Sequence, residues 1–131
     1  MKDFLLSIVI PVYNEENNID TLLNRLLPIV KSYNYEILFI NDGSKDNTSE
    51  VITTQAKKNT HIKLVSFNRN FGHQMALIAG YQLCKGDCVI TMDADMQDPP
   101  EIIPDMVGMW QNGTNIVYAK RKKRAVDTFF K

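Results

Sequence analysis

The sequence predicts an α/β fold: a mostly parallel, doubly wound sheet with helices on both faces. Short β-branched apolar runs alternate with helix-length amphipathic stretches, five times over. Nearly every apolar run also ends in a polar cluster. Right-handed crossovers point parallel strands the same way, so those clusters gather at one edge of the sheet. Ligands of such sheets bind beyond the carboxyl ends of the strands, near the reversal in strand order.

Leu5–Val12 is an almost unbroken apolar run and reads as a buried parallel strand. The polar loop Asn14-Glu15-Glu16-Asn17 can cap the helix that follows, whose Ile19, Leu22, Leu23, Leu26, Leu27 and Val30 share one face. Pro28 predicts a kink or an early end there. Glu36–Ile40 is the second strand, stopped by the turn Asn41-Asp42-Gly43-Ser44. Asn47 and Glu50 have capping-box spacing for a helix running to about Lys58. Ile62–Phe67 is the third strand. Gly72–Cys84 is the third helix, with Met75, Ala76, Ile78, Ala79 and Leu83 expected on its packed side. Cys88–Met92 is the fourth strand. A helix opened by Pro99-Pro100 carries Ile102, Ile103, Met106, Val107 and Trp110, and Gly113 ends it. Asn115–Tyr118 reads as a fifth strand.

Composition narrows the function. The 131 residues suit one domain, and 44% hydrophobic with 23% charged residues is a globular balance. No apolar run reaches the roughly 18–20 residues of a bilayer span, and Met1–Val12 lacks the regions of a signal peptide. Cys84 and Cys88 are too few for a disulfide framework, which suits a reducing compartment, and they read as packing residues. The net charge is zero, but residues 120–131 hold six basic residues and one acidic. The rest of the chain is therefore acidic, which argues against a nucleic-acid partner. The run Lys120–Arg124 reads either as a phosphate or lipid-headgroup contact or as a solvated tail.

Asp93-Ala94-Asp95-Met96-Gln97-Asp98 is the most informative stretch. Several carboxylates at the end of an apolar strand repel one another, and a divalent cation removes that cost. Carboxylate and amide oxygens suit Mg²⁺ or Mn²⁺. In an extended chain Asp93, Asp95 and Gln97 would project to one side. The plainer alternative is an acidic loop at a helix start. Asp42 could accept a nucleobase N–H or serve only as turn chemistry. Tyr13 and Glu15 could line a nucleotide pocket or pack and cap. His73 could meet a phosphate or simply begin its helix. No Gly-x-Gly-x-x-Gly or phosphate-loop motif is present, which weakens the dinucleotide and NTPase readings.

Taken together, Ile8–Glu16, Asn41–Thr48, Arg69-Asn70-Phe71-Gly72 and Asp93–Glu101 resemble glycosyltransferase family 2, specifically its polyprenyl- and dolichyl-phosphate sugar synthases. Val117–Arg121 is also similar, with Ala119 where a Gly is common. The resemblance implies a GT-A type fold, a UDP- or GDP-sugar donor, Mg²⁺ or Mn²⁺, inverting transfer and a lipid-phosphate acceptor. By position, Pro11, Tyr13, Glu15 and Asp42 would surround base and ribose, and Asp93 would lie near ribose or diphosphate. Asp95 and Gln97 would hold the metal, with Asp93 beside them. Arg121 and Arg124 would contact a phosphate. An anionic acceptor oxygen needs no strong general base, so alignment and charge neutralisation would be the protein's task. Residues 1–131 are then expected to be the donor-binding part of one domain, with the acceptor half and any membrane segments absent. The intact enzyme would work at the cytoplasmic face of the membrane. A nucleotide-sugar-binding module without turnover is the main alternative. A receiver-like signalling domain fits poorly, because strand three ends in Ser66-Phe67-Asn68 rather than an acceptor Asp.

Overall fold

Strand β1 occupies Leu5–Val12 as the apolar run predicts, and seven of its eight residues are buried because it lies inside the sheet. The computed structural model describes residues 3–117. Strands β2 (Asn34–Asn41), β3 (Ile62–Ser66) and β4 (Cys88–Thr91) join β1 in one parallel sheet of order β3-β2-β1-β4. Ile8 lies opposite Ile37 on one side and Ile90 on the other. The chain steps outward from β1 to β3, then returns to place β4 on the other side of β1. That reversal puts the topological switch between β1 and β4.

Side chains alternate across β1, so its two faces meet different partners. Leu6, Ile8, Ile10 and Val12 pack with α1 (Ile19–Val30), with Ile52 of α2 (Thr48–Lys58) and with Ile103 and Val107 of α4 (Ile103–Gln111). Val9 packs with Leu38, Ile40 and Ala76 of α3 (His73–Leu83) on the opposite face. Helices thus cover both faces, three against one. Cys88 lies in the larger core, where burial pushes its thiol pKa up, and Cys84 packs against the smaller one.

Four expectations need correction. Helix α1 continues through Pro28 to Val30, since a proline this near the end removes a single ladder bond and Lys31 N–H still reaches Leu27 O at 3.1 Å. Neither Asn18, at the start of α1, nor Asn47, at the start of α2, makes a side-chain cap. Asp46 does so instead: its Oδ1 accepts from the Thr48 N–H at 3.0 Å and from the Thr48 hydroxyl at 2.5 Å. In α3 the buried residues are Ala76 and Gly80, while Met75, Ile78 and Leu83 are about half exposed. A Cβ on Gly80 would come within 2.3 Å of Val9 Cγ1, so the helix rests on the sheet through its smallest side chains and turns larger ones outward. Residues 115–117 form no strand, and Ile116 is 82% exposed. Tyr118 lies outside the described residues.

A 3₁₀ turn, Pro100–Ile102, leads directly into α4. No helix among the described residues is long and apolar enough to cross a membrane.

Candidate functional site

The ends of all four strands supply one cleft of about 380 Å³. Strand β1 contributes Pro11, Val12, Tyr13 and Glu15, and β2 contributes Asp42. From the β3–α3 connection come Asn70, Gly72 and His73, and from the loop after β4 come Asp93, Ala94 and Asp95. The cleft therefore spans the β1/β4 switch, where the sheet topology directs ligands. A second cavity of about 370 Å³ borders β4, lined by Tyr81, Val89, Thr91 and Met106 among others. Among the described residues its ionisable groups are Tyr81 and Asp98, fewer than in the first cleft, so the candidate chemistry belongs to the first cleft.

Hydrogen bonds stitch the loops of this edge together. Asn14 N–H donates to Ser44 Oγ at 2.9 Å, and Lys45 N–H donates to Asn14 Oδ1 at 2.8 Å. Asn14 holds a left-handed φ of 53° within this exchange. Glu15 N–H donates to the Thr48 hydroxyl at 2.9 Å, and Glu16 N–H to Asp46 Oδ2 at 3.3 Å. Burial works to raise the Asp46 pKa. The Thr48 hydroxyl and the Thr48 and Glu16 amides outweigh it, so the carboxyl titrates below its usual value. The loop expected to cap α1 is instead spent on holding the β1 and β2 ends together.

Asp42 is 4% exposed. Its Oδ1 accepts the Phe71 N–H at 2.7 Å and its Oδ2 accepts the Gly72 N–H at 3.1 Å. Both oxygens of the candidate base contact thus already serve the backbone, and only their remaining lone pairs face a ligand.

The acidic loop departs from the extended geometry expected of it. Residues 94–98 turn, and Met96 sits at φ 68° with its side chain packed against the main core. Gln97 N–H bonds Asp95 Oδ1 at 3.2 Å. A left-handed residue breaks the two-residue alternation, so Asp93 and Asp95 line the cleft and Gln97 does not. Arg121 and Arg124 lie outside the described residues.

Among the described residues, four carboxylates, on Glu15, Asp42, Asp93 and Asp95, line the cleft, against one basic side chain, His73. Glu15 accepts from Asn18 Nδ2 at 2.7 Å. Asp93 and Asp95 form no ion pair among the described residues. Two unpaired carboxylates at one turn are hard donors that suit Mg²⁺ or Mn²⁺. No group of three or more His, Cys, Asp or Glu among the described residues forms a closed cage. Mg²⁺ commonly takes one or two carboxylates and completes its shell with water and ligand oxygens, a donor set that Asp93 and Asp95 could begin.

Asn70, Gly72 and His73 form the wall that follows β3, at the edge where the sequence placed a polar cluster. Their signal was the motif Arg69-Asn70-Phe71-Gly72, where Gly72 holds φ 102°, a conformation that L side chains rarely adopt. The Arg69 guanidinium lies 4.7 Å from the Phe71 ring centroid, and Phe71 packs edge-on to Phe67.

The profile of glycosyl transferase family 2 matches residues 7–131. The prophage bactoprenol glucosyl transferase homolog of Escherichia coli (strain K12) is 44% identical over 124 residues, covering 93% of this chain and 40% of that protein. The undecaprenyl-phosphate 4-deoxy-4-formamido-L-arabinose transferase of Pseudomonas fluorescens (strain SBW25) is 41% identical over 126 residues, 94% of this chain and 37% of that protein. Among solved structures, the mannosyltransferase PcManGT from Pyrobaculum calidifontis, in complex with GDP-Man and Mn²⁺, superposes with a TM-score of 0.64 at 22% identity. That match covers 72% of this chain and 28% of the other, and it shows a shared GT-A fold. The chain spans about 40% of the length of these two relatives. With the profile running from β1 to the last residue, the chain belongs to glycosyltransferase family 2.

Proposed function

We propose that the cleft binds the nucleotide diphosphate of a sugar donor, and that the chain is the donor-binding part of an enzyme that glycosylates a polyprenyl-phosphate lipid. The observation that carries this reading is the pair Asp93 and Asp95, both lining the cleft without a cationic partner among the described residues. A diphosphate would be repelled by that wall unless a divalent cation lay between them. Relatives named for bactoprenol and undecaprenyl-phosphate support the acceptor class, and a neighbour bound to GDP-Man and Mn²⁺ supports the donor and metal classes.

The roles follow from position along the edge. Asp42 follows β2 and Asp93 follows β4, two strand spacings away, or about 10 Å. That span suits a nucleotide with its base toward β2 and its phosphates toward β4. Tyr13, Pro11 and Glu15 would flank the base and ribose between them. A bound Mg²⁺ or Mn²⁺ would act as a Lewis acid, neutralising charge on the departing diphosphate. Asp93 and Asp95 would hold it, while Gln97 would need its loop to rearrange. In an inverting transfer the acceptor phosphate oxygen bonds to the anomeric carbon as the bond to the donor diphosphate breaks. Arg121 and Arg124 are proposed to meet the phosphate of donor or acceptor, at the cytoplasmic face of a membrane.

The test is transfer of labelled sugar from UDP-glucose or GDP-mannose to undecaprenyl phosphate with Mg²⁺ or Mn²⁺, read as label extracted into organic solvent. Metal-dependent extraction supports the transferase reading. Donor binding without transfer supports the second reading, a nucleotide-sugar-binding module. No binding of either nucleotide overturns both.

A further inference from the structure

Asp42 and Gly43 bind the β2 end to the β3–α3 loop more tightly than a pocket wall requires. Asp42 N–H donates to Val12 O at 2.9 Å, fixing the residue to the end of β1. Its buried carboxylate then takes two consecutive backbone donors, Phe71 and Gly72, from a loop 29 and 30 residues further along. Gly43 brings the two backbones together at φ +73°. A Cβ there would lie 2.3 Å from the Arg69 carbonyl carbon and 2.5 Å from Asn70 N. Phe67 N–H donates to Asn41 O at 2.9 Å and closes the other end of the loop. Gly72 is in turn the N-cap of α3, its carbonyl accepting the Ala76 N–H at 3.1 Å.

We propose that Asp42 is a positioning residue: by clamping the Phe71 and Gly72 amides it sets the wall that carries Asn70 and His73, and so controls how the cleft holds phosphate as well as base. A carboxylate supplies an acceptor to each of the two N–H groups, whereas an amide turns a donor toward one of them. Asp42→Asn therefore keeps the volume and opens the clamp. An Asp42 that only touched a base would behave differently, because its loss would spare the phosphate end.

The clamp is tested in the whole chain by amide hydrogen exchange, which needs no ligand. In the wild type the Phe71 and Gly72 amides exchange at least tenfold more slowly than exposed loop amides such as Asn17. Equal rates would overturn the proposal. In Asp42→Asn those two amides lose at least tenfold in protection while Ile8 and Ile37 keep theirs, and unchanged protection overturns the proposal. The ligand arm rests on the donor-binding reading and compares UDP with inorganic pyrophosphate, each with Mn²⁺. Asp42→Asn weakens both severalfold, and Gly43→Ala, which forces the loops apart with the carboxylate intact, does the same. Loss of UDP affinity with pyrophosphate unaffected would reduce Asp42 to a base contact. A wild type that binds neither ligand while its amides are protected would sink the donor reading and leave the clamp standing.

Discussion

Glu36 and Asp42 are carboxylates at the two ends of the same strand region, each 4% exposed, and their surroundings are opposite. At the amino edge Glu36 is saturated: the Ser7 hydroxyl donates at 2.5 Å, the Lys85 N–H at 2.6 Å and Lys63 Nζ at 3.0 Å. Burial works to raise its pKa, and those three partners outweigh it and hold the carboxyl below its usual range. At the carboxyl edge Asp42 has two backbone donors and, among the described residues, no cationic partner, and it faces a cleft with three further carboxylates. Glu36 is satisfied by the fold itself, whereas Asp42 keeps lone pairs at the edge of the cleft.

The largest effect separates the edges by stability. Glu36→Ala leaves the Ser7 and Lys85 donors without an acceptor and should cost about 2–4 kcal/mol in denaturant unfolding, with affinity per folded molecule unchanged. A smaller loss would mean that Glu36 is dispensable packing. Next, Asp95→Ala should abolish most metal-dependent nucleotide affinity, tenfold or more, while the melting temperature holds, since the residue is exposed. If stability fell and affinity did not, the loop after β4 would be structural.

Acid should discriminate more gently. The folded-state pKa values of Glu36 and Asp46 lie below their unfolded values. Their stabilisation is therefore fully present above the ordinary carboxylate range and is lost as pH falls through the folded-state values. Thermal melts should be flat near neutrality and decline below about pH 4, and Glu36→Gln should flatten part of that decline. The smallest effect is at Arg25, whose guanidinium pairs with Glu101 on the surface, at side-chain exposures of 40% and 55%. The side-chain hydrogen bond to Glu101 raises the Arg25 pKa. Water screens such a pair, so Arg25→Ala should leave the melting temperature within experimental error, unlike any change at Glu36.

Local patterns made much of this readable. Apolar runs located four strands, and the clusters after them located the cleft, because side-chain period and chain direction are local properties. Long-range fit was not readable. Of the expected α3 stripe, Ala76 and Ala79 do pack on the sheet, but Gly80 takes the place of Met75, Ile78 and Leu83, since the helix approaches Val9 too closely for larger side chains. The fifth apolar run has β propensity but finds no ladder partner among residues 115–117. Gln97 left the expected row because Met96 is anchored in the core with a positive φ. The Asp42 clamp joins residues far apart in sequence, so its motifs were visible and their bond was not.

The central claim is that a cation completes the acidic cleft for a nucleotide diphosphate. Calorimetric titration of UDP and GDP into the chain, with Mn²⁺ and again with EDTA, tests it most directly. The account predicts binding of one nucleotide with Mn²⁺ and at least tenfold weaker binding in EDTA. Equal affinity in both conditions would contradict it.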